Sequence, residues 1–222
     1  MRALRRAGLV LQRELRAERR QPDGLVAAAT LAATLILLES LAVGPLSARQ
    51  PVIASALFWI AVLFAALFAT TRSFDRELED DALEAVLALP GGRDALYAGK
   101  LAAITALLAV VAAVAALLSG VLLDLDIALP GHALAALVLG VAALPPVVVL
   151  VVVLSLRLRA RALAVPLLAL PVLVPQLLGA TLGTSSALSG DATASLGWSG
   201  MLLAFALVYA VIGLTIVPAA IE

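Results

Sequence analysis

Six stretches of this chain are almost purely apolar and long enough to matter: residues 25–43, 51–71, 101–123, 132–156, 162–182 and 198–220. About twenty residues of helix, rising 1.5 Å each, cross the ~30 Å hydrocarbon core of a bilayer. Lipid offers no water to backbone N–H and C=O groups, so each run must satisfy its own hydrogen bonds as a helix. The expectation is an all-α polytopic membrane protein, one domain of six transmembrane helices spanning residues 1–222. Composition supports this: 64% of residues are hydrophobic and 14% charged, with a mean hydropathy of +1.13. A soluble domain carries roughly a quarter charged residues. The chain has no cysteine, which excludes disulfides, thiolate metal sites and a cysteine nucleophile.

The charges between the runs orient them. Seven arginines, at 2, 5, 6, 13, 16, 19 and 20, precede the first run. Arg72, Arg76, Arg93 and Lys100 lie between the second and third runs, and Arg157, Arg159 and Arg161 between the fourth and fifth. The alternate loops, near 45–50, 124–131 and 183–197, hold only Arg49. Basic residues stay on the cytoplasmic side of a membrane, so both termini are expected in the cytoplasm. Leu4, Gly8, Leu11 and Leu15 share one face of the Arg-rich start, which predicts a basic amphipathic helix over 1–22 lying in the headgroup layer. The apolar run that follows at once argues against nucleic acid as the partner of these arginines. The first twenty residues are too charged for a cleavable leader. The stretch 184–196, rich in Ser, Thr and Gly, is expected as a polar loop.

One segment between runs is neither apolar nor basic. Residues 73–90 hold six of the fifteen acidic residues, with Phe74, Leu78, Leu83, Val86 and Leu87 near one helical stripe. Ser73 is the expected N-cap, and Pro90 with Gly91 and Gly92 the stop. This predicts a short cytoplasmic helix over 73–89. Phe74, Leu78, Leu83 and Leu87 would be anchors, filling a partner's groove or packing on the span ends. Glu77, Glu79, Asp80 and Glu84 would meet basic residues at the rim. A solvated acidic helix is the plainer alternative.

Other residues offer chemistry less strongly. Glu39 lies within the first span, where it reaches the interface, bonds a neighbouring helix or serves transport. His132, the single histidine, is a solvated helix-end residue or, less simply, a heme or metal ligand. Asp124 and Asp126 lack a third metal ligand nearby. Pro145, Pro146, Pro166, Pro171 and Pro175 fall within spans, where kinked helices line a pathway or only shape the bundle. Trp59 and Trp198 are candidate interface anchors, although Trp59 falls well inside its span. No phosphate-binding loop and no hydrolase or metalloprotease motif occurs, so a non-catalytic subunit with no resident cofactor or metal is expected.

The layout resembles the permease subunits of ABC-type exporters, and within them the heme-exporter permeases of cytochrome c maturation, the CcmB family. Three stretches carry the likeness: Phe74-Asp75-Arg76-Glu77-Leu78-Glu79-Asp80-Asp81-Ala82-Leu83-Glu84, Leu170-Pro171-Val172-Leu173-Val174-Pro175, and Val43-Gly44-Pro45. The stretch from Leu11 to Arg16 is similar too. Asp81 and Ala82 stand where the family has glycine and Ser/Thr, and Gln176 stands at a mostly apolar position. The resemblance implies a multi-pass permease coupled through the 73–89 helix to a separate ATPase of CcmA type, which binds the ATP. It implies CcmC- and CcmD-like partners, an indirect link to a CcmE-like periplasmic heme chaperone, and heme as the possible cargo. A second copy of the chain is a further possible partner. The alternatives are an exporter permease for a lipid, polysaccharide or drug, or a scaffold that transports nothing.

Overall fold

A computed structural model describes residues 2–79, 92–155 and 161–220. Among them the chain forms helices α1 (Arg2–Arg20), α2 (Asp23–Val43), the single turn α3 (Pro45–Ala48), α4 (Pro51–Glu79), α5 (Gly92–Leu123), α6 (Pro130–Ser155), α7 (Arg161–Ser189) and α8 (Ala192–Ala220). Six of these, α2 and α4 to α8, are long and apolar enough to cross a membrane.

Helix α6 is the centre of the bundle. From Gly140 to Ser155 nearly every side chain is buried, as expected for a helix apolar on all sides. Six of the seven residues from 147 to 153 are valine, a poor helix former in water. Deprived of water, the backbone forms the helix regardless. Helices α4, α5, α7 and α8 pack around α6, while α2 lies outside against α4 and α5. Proline opens α3, α4 and α6, where its missing N–H costs nothing. Gly44 (φ 88°) ends α2 and Gly190 (φ 87°) ends α7, both in a backbone conformation that favours glycine.

Three elements differ from the sequence expectation. The 184–196 stretch is not a loop: α7 runs to Ser189, α8 starts at Ala192, and only Gly190 and Asp191 join them. Hydroxyls of this stretch bond carbonyls within a helix or between helices, so they do not break them. Ser189 Oγ donates to Ser185 O at 2.9 Å, and Ser195 Oγ to Gly183 O at 3.1 Å. Asp191 Oδ1 caps α8 by accepting from Ala194 N–H at 2.9 Å. Ser73 is not a cap, because α4 continues unbroken from the second span to Glu79; nothing between Thr71 and Phe74 breaks a helix. Trp59 is no interface anchor. It is 1% exposed, with its ring over Gly140 of α6 and its Nε1–H donating to Thr184 Oγ1 at 3.0 Å.

Candidate functional site

The most concentrated polar chemistry lies where α1 crosses the roots of α4 and α5. Gly99 of α5 makes the crossing possible: a Cβ there would stand 2.6 Å from Val10 Cβ and 2.8 Å from the Ala7 carbonyl oxygen. The next residue, Lys100, is 1% exposed. Its ammonium lies 3.2 Å from Glu14 Oε2 and donates to the Ser73 carbonyl at 3.1 Å. It also sits 5.2 Å from the centroid of the Phe74 ring, within cation–π range. Ser73 Oγ donates to Glu14 Oε2 at 3.4 Å. Burial by itself pushes the Glu14 carboxyl up, but the Lys100 ammonium and then Arg13 outweigh it. The group is held below its usual value of 4.5.

One helical turn along α1, Glu18 forms a second tie. It is 5% exposed, and its Oε2 lies 2.7 Å from an Arg76 guanidinium nitrogen on α4. Its Oε1 accepts from Leu25 N–H at 2.6 Å, reaching α2. Gly24 leaves room for this, since a Cβ there would meet both Arg76 and Glu18 at 3.1 Å. A carboxylate paired to a cation and to a backbone N–H is satisfied on both oxygens. The inward face of α1 is therefore Ala7, Val10, Leu11, Glu14, Leu15 and Glu18, broader than the leucine stripe expected from sequence. Its two carboxylates, four apart on an Arg-rich helix, were the available signal: the arginines from Arg5 to Arg20 face outward and the acids do not.

This junction stands at the root of the acidic segment. Of the two places expected for its anchors, Phe74 takes the span end. It is 3% exposed within the bundle core. Glu77, Leu78 and Glu79 continue α4 in backbone. Asp80, Leu83, Glu84 and Leu87 lie outside the described residues.

The other candidates fall elsewhere. Gln176 is fully buried, and its Nε2–H donates to Gly140 O at 3.2 Å, tying α7 to α6 more than a turn before Pro145 and Pro146. Those two prolines are buried, whereas Pro171 and Pro175 are exposed on the outer face of α7 and Pro166 is half-buried. His132 is half-buried in the first turn of α6. Glu39 Oε2 is buried without a hydrogen-bond partner. Asp124 pairs loosely with Arg49 at 3.7 Å, both exposed. Among the described residues no three His, Cys, Asp or Glu gather closely enough to hold a metal.

The family model described as CcmB protein matches residues 5–222. No curated protein matches the chain.

Proposed function

The chain belongs to the CcmB family, and from that membership we propose that it is the permease subunit of an ABC-type complex in cytochrome c maturation. The permease itself carries no catalysis. A separate CcmA-like ATPase hydrolyses ATP, and the work drives heme export or release of a heme-loaded CcmE-like chaperone, alongside CcmC- and CcmD-like subunits. The acidic segment over 73–89 is the docking element, facing the cytoplasm of a bacterial inner membrane with both termini on that side.

The observation that supports coupling is the buried junction at the segment's root. Lys100, Glu14 and Ser73 join α5, α1 and α4, and Glu18 with Arg76 repeats the tie. A push on a segment anchored in this way reaches three helices together, because a paired buried charge resists separation from its partner. A free surface helix would move alone.

Co-purification of the ATPase with variants tests docking. Leu83→Ala and Leu87→Ala should each weaken it by about 1–3 kcal/mol, roughly five- to a hundredfold, while Glu79→Gln at the rim should cost well under that. Retention of the ATPase by both leucine variants, with loss by Arg-rich N-terminal variants, would move the docking site to α1. The substrate class is tested by deleting the gene and staining for c-type cytochromes, which should disappear. Normal staining with loss of a surface polymer would instead identify an exporter of another class.

A further inference from the structure

At the end of the bundle opposite α1, helices α4, α5, α6 and α7 enclose a cavity of about 260 Å³. Its floor is buried and almost wholly apolar, with Ala54, Phe58 and Leu188, and its rim is exposed and apolar, with Ile127, Pro130 and Leu134. Two hydroxyls break the apolar lining. Ser55 of α4 and Ser119 of α5 are 1% and 4% exposed, and neither Oγ has a hydrogen-bond partner. The third hydroxyl of the lining, Thr184, is already engaged by Trp59. A buried hydroxyl without a partner is costly, so two in one cavity call for an acceptor supplied from outside.

We propose that this cavity seats one acyl chain of a membrane phospholipid, with the Ser55 and Ser119 hydroxyls donating to its ester oxygens. Depth supports the ester. Ser55 lies four residues from the start of α4 at Pro51, and Ser119 four from the end of α5 at Leu123. At 1.5 Å per residue both hydroxyls are about 6 Å inside the helix ends. A bilayer of ~40–45 Å has a hydrocarbon core of ~30 Å, so this depth is where headgroup gives way to chain. Volume supports the part of a single chain next to the ester: at about 30 Å³ for each water- or methylene-sized group, the cavity holds roughly nine, and the rest of the chain stays in the lipid. The exposed apolar rim lets the chain enter without crossing a polar surface. An ester carbonyl brings acceptors and no donors, which suits two hydroxyls that lack acceptors.

Native mass spectrometry of the full-length protein tests this, using ester-linked phosphatidylethanolamine and its ether-linked analogue, which lacks the carbonyls. Wild type should keep one ester-linked lipid through delipidation and hold the ether analogue roughly fivefold less well. Ser55→Ala/Ser119→Ala, which removes only the two unpartnered hydroxyls, should still bind lipid but no longer distinguish the two. Ala116→Leu, filling the cavity from α5, should lose the bound lipid. Wild type emerging lipid-free would mean a cavity holding water alone and would overturn the proposal. Equal retention of ester and ether lipids by wild type would overturn it as well, as would unchanged retention by Ala116→Leu.

Discussion

Lys100 shows how one residue can bind a fold together in a chain that is mostly hydrocarbon. Its stem crosses the core and its ammonium meets a carboxylate, a carbonyl and a ring face. Such a pair contributes little net stability compared with apolar residues, but breaking it strands a buried charge. Lys100→Ala should therefore destabilise the protein by on the order of 3 kcal/mol, read as a fall in its detergent melting temperature. Lys100→Met with Glu14→Leu should recover most of that loss. The Glu14 carboxyl, held below 4.5, adds a pH signature. A depressed carboxyl contributes stability above its unfolded value, and loses it as pH falls through its folded value. The melting temperature of wild type should thus drop on acidification below about pH 4.5, and more steeply than that of Glu14→Gln. An equal pH slope in both would mean that Glu14 does not carry the effect. Gly140 makes the complementary point: the Trp59 ring occupies the space where a side chain would stand, so a small residue is needed on the central helix for a large one to enter from α4.

At the level of elements, the link between α7 and α8 is informative because composition suggests a loop. Hydroxyl side chains compete with the backbone in water and favour turns. Within a bundle they instead bond a carbonyl one turn back or on a neighbouring helix, as Ser189 and Ser195 do. The reversal then rests on two residues. Asp191→Ala, removing the α8 cap, should cost about 1 kcal/mol. Gly190→Ala should cost about 1–2 kcal/mol through its positive φ alone, since its new Cβ would meet only Ala128 at an ordinary 3.6 Å. Thermal melts of the two variants check both values. A loss near zero for Asp191→Ala would mean that water replaces the cap. The same tertiary override extends α4 past Ser73: the residue suited to an N-cap spends its hydroxyl on Glu14 and its carbonyl on Lys100.

For the whole molecule, the arginine asymmetry sets the orientation prediction. Reporter fusions at Gly92, Arg159 and Glu222 should report cytoplasmic, and fusions at Asp126 and Gly190 periplasmic. A periplasmic C-terminus would overturn it. The six-helix all-α class was legible from residue types alone, because lipid leaves an isolated apolar run no state but helix. Several of the long apolar helices run past the expected span ends, where hydroxyl-rich and charged residues extend them. The family likeness was also visible, carried by the acidic segment and the Pro171 to Pro175 stretch. What the tertiary structure alone decided was which helices meet. Glu14 with Lys100, Glu18 with Arg76, Trp59 with Gly140 and Gln176 with the α6 backbone are partners far apart in the chain. In lipid, every helix face is similarly apolar, so the hydrophobic pattern that places helices in water carries little information here. Pairing depends on close fit at a glycine and on a few buried polar groups finding one another, and neither can be read from one helix at a time.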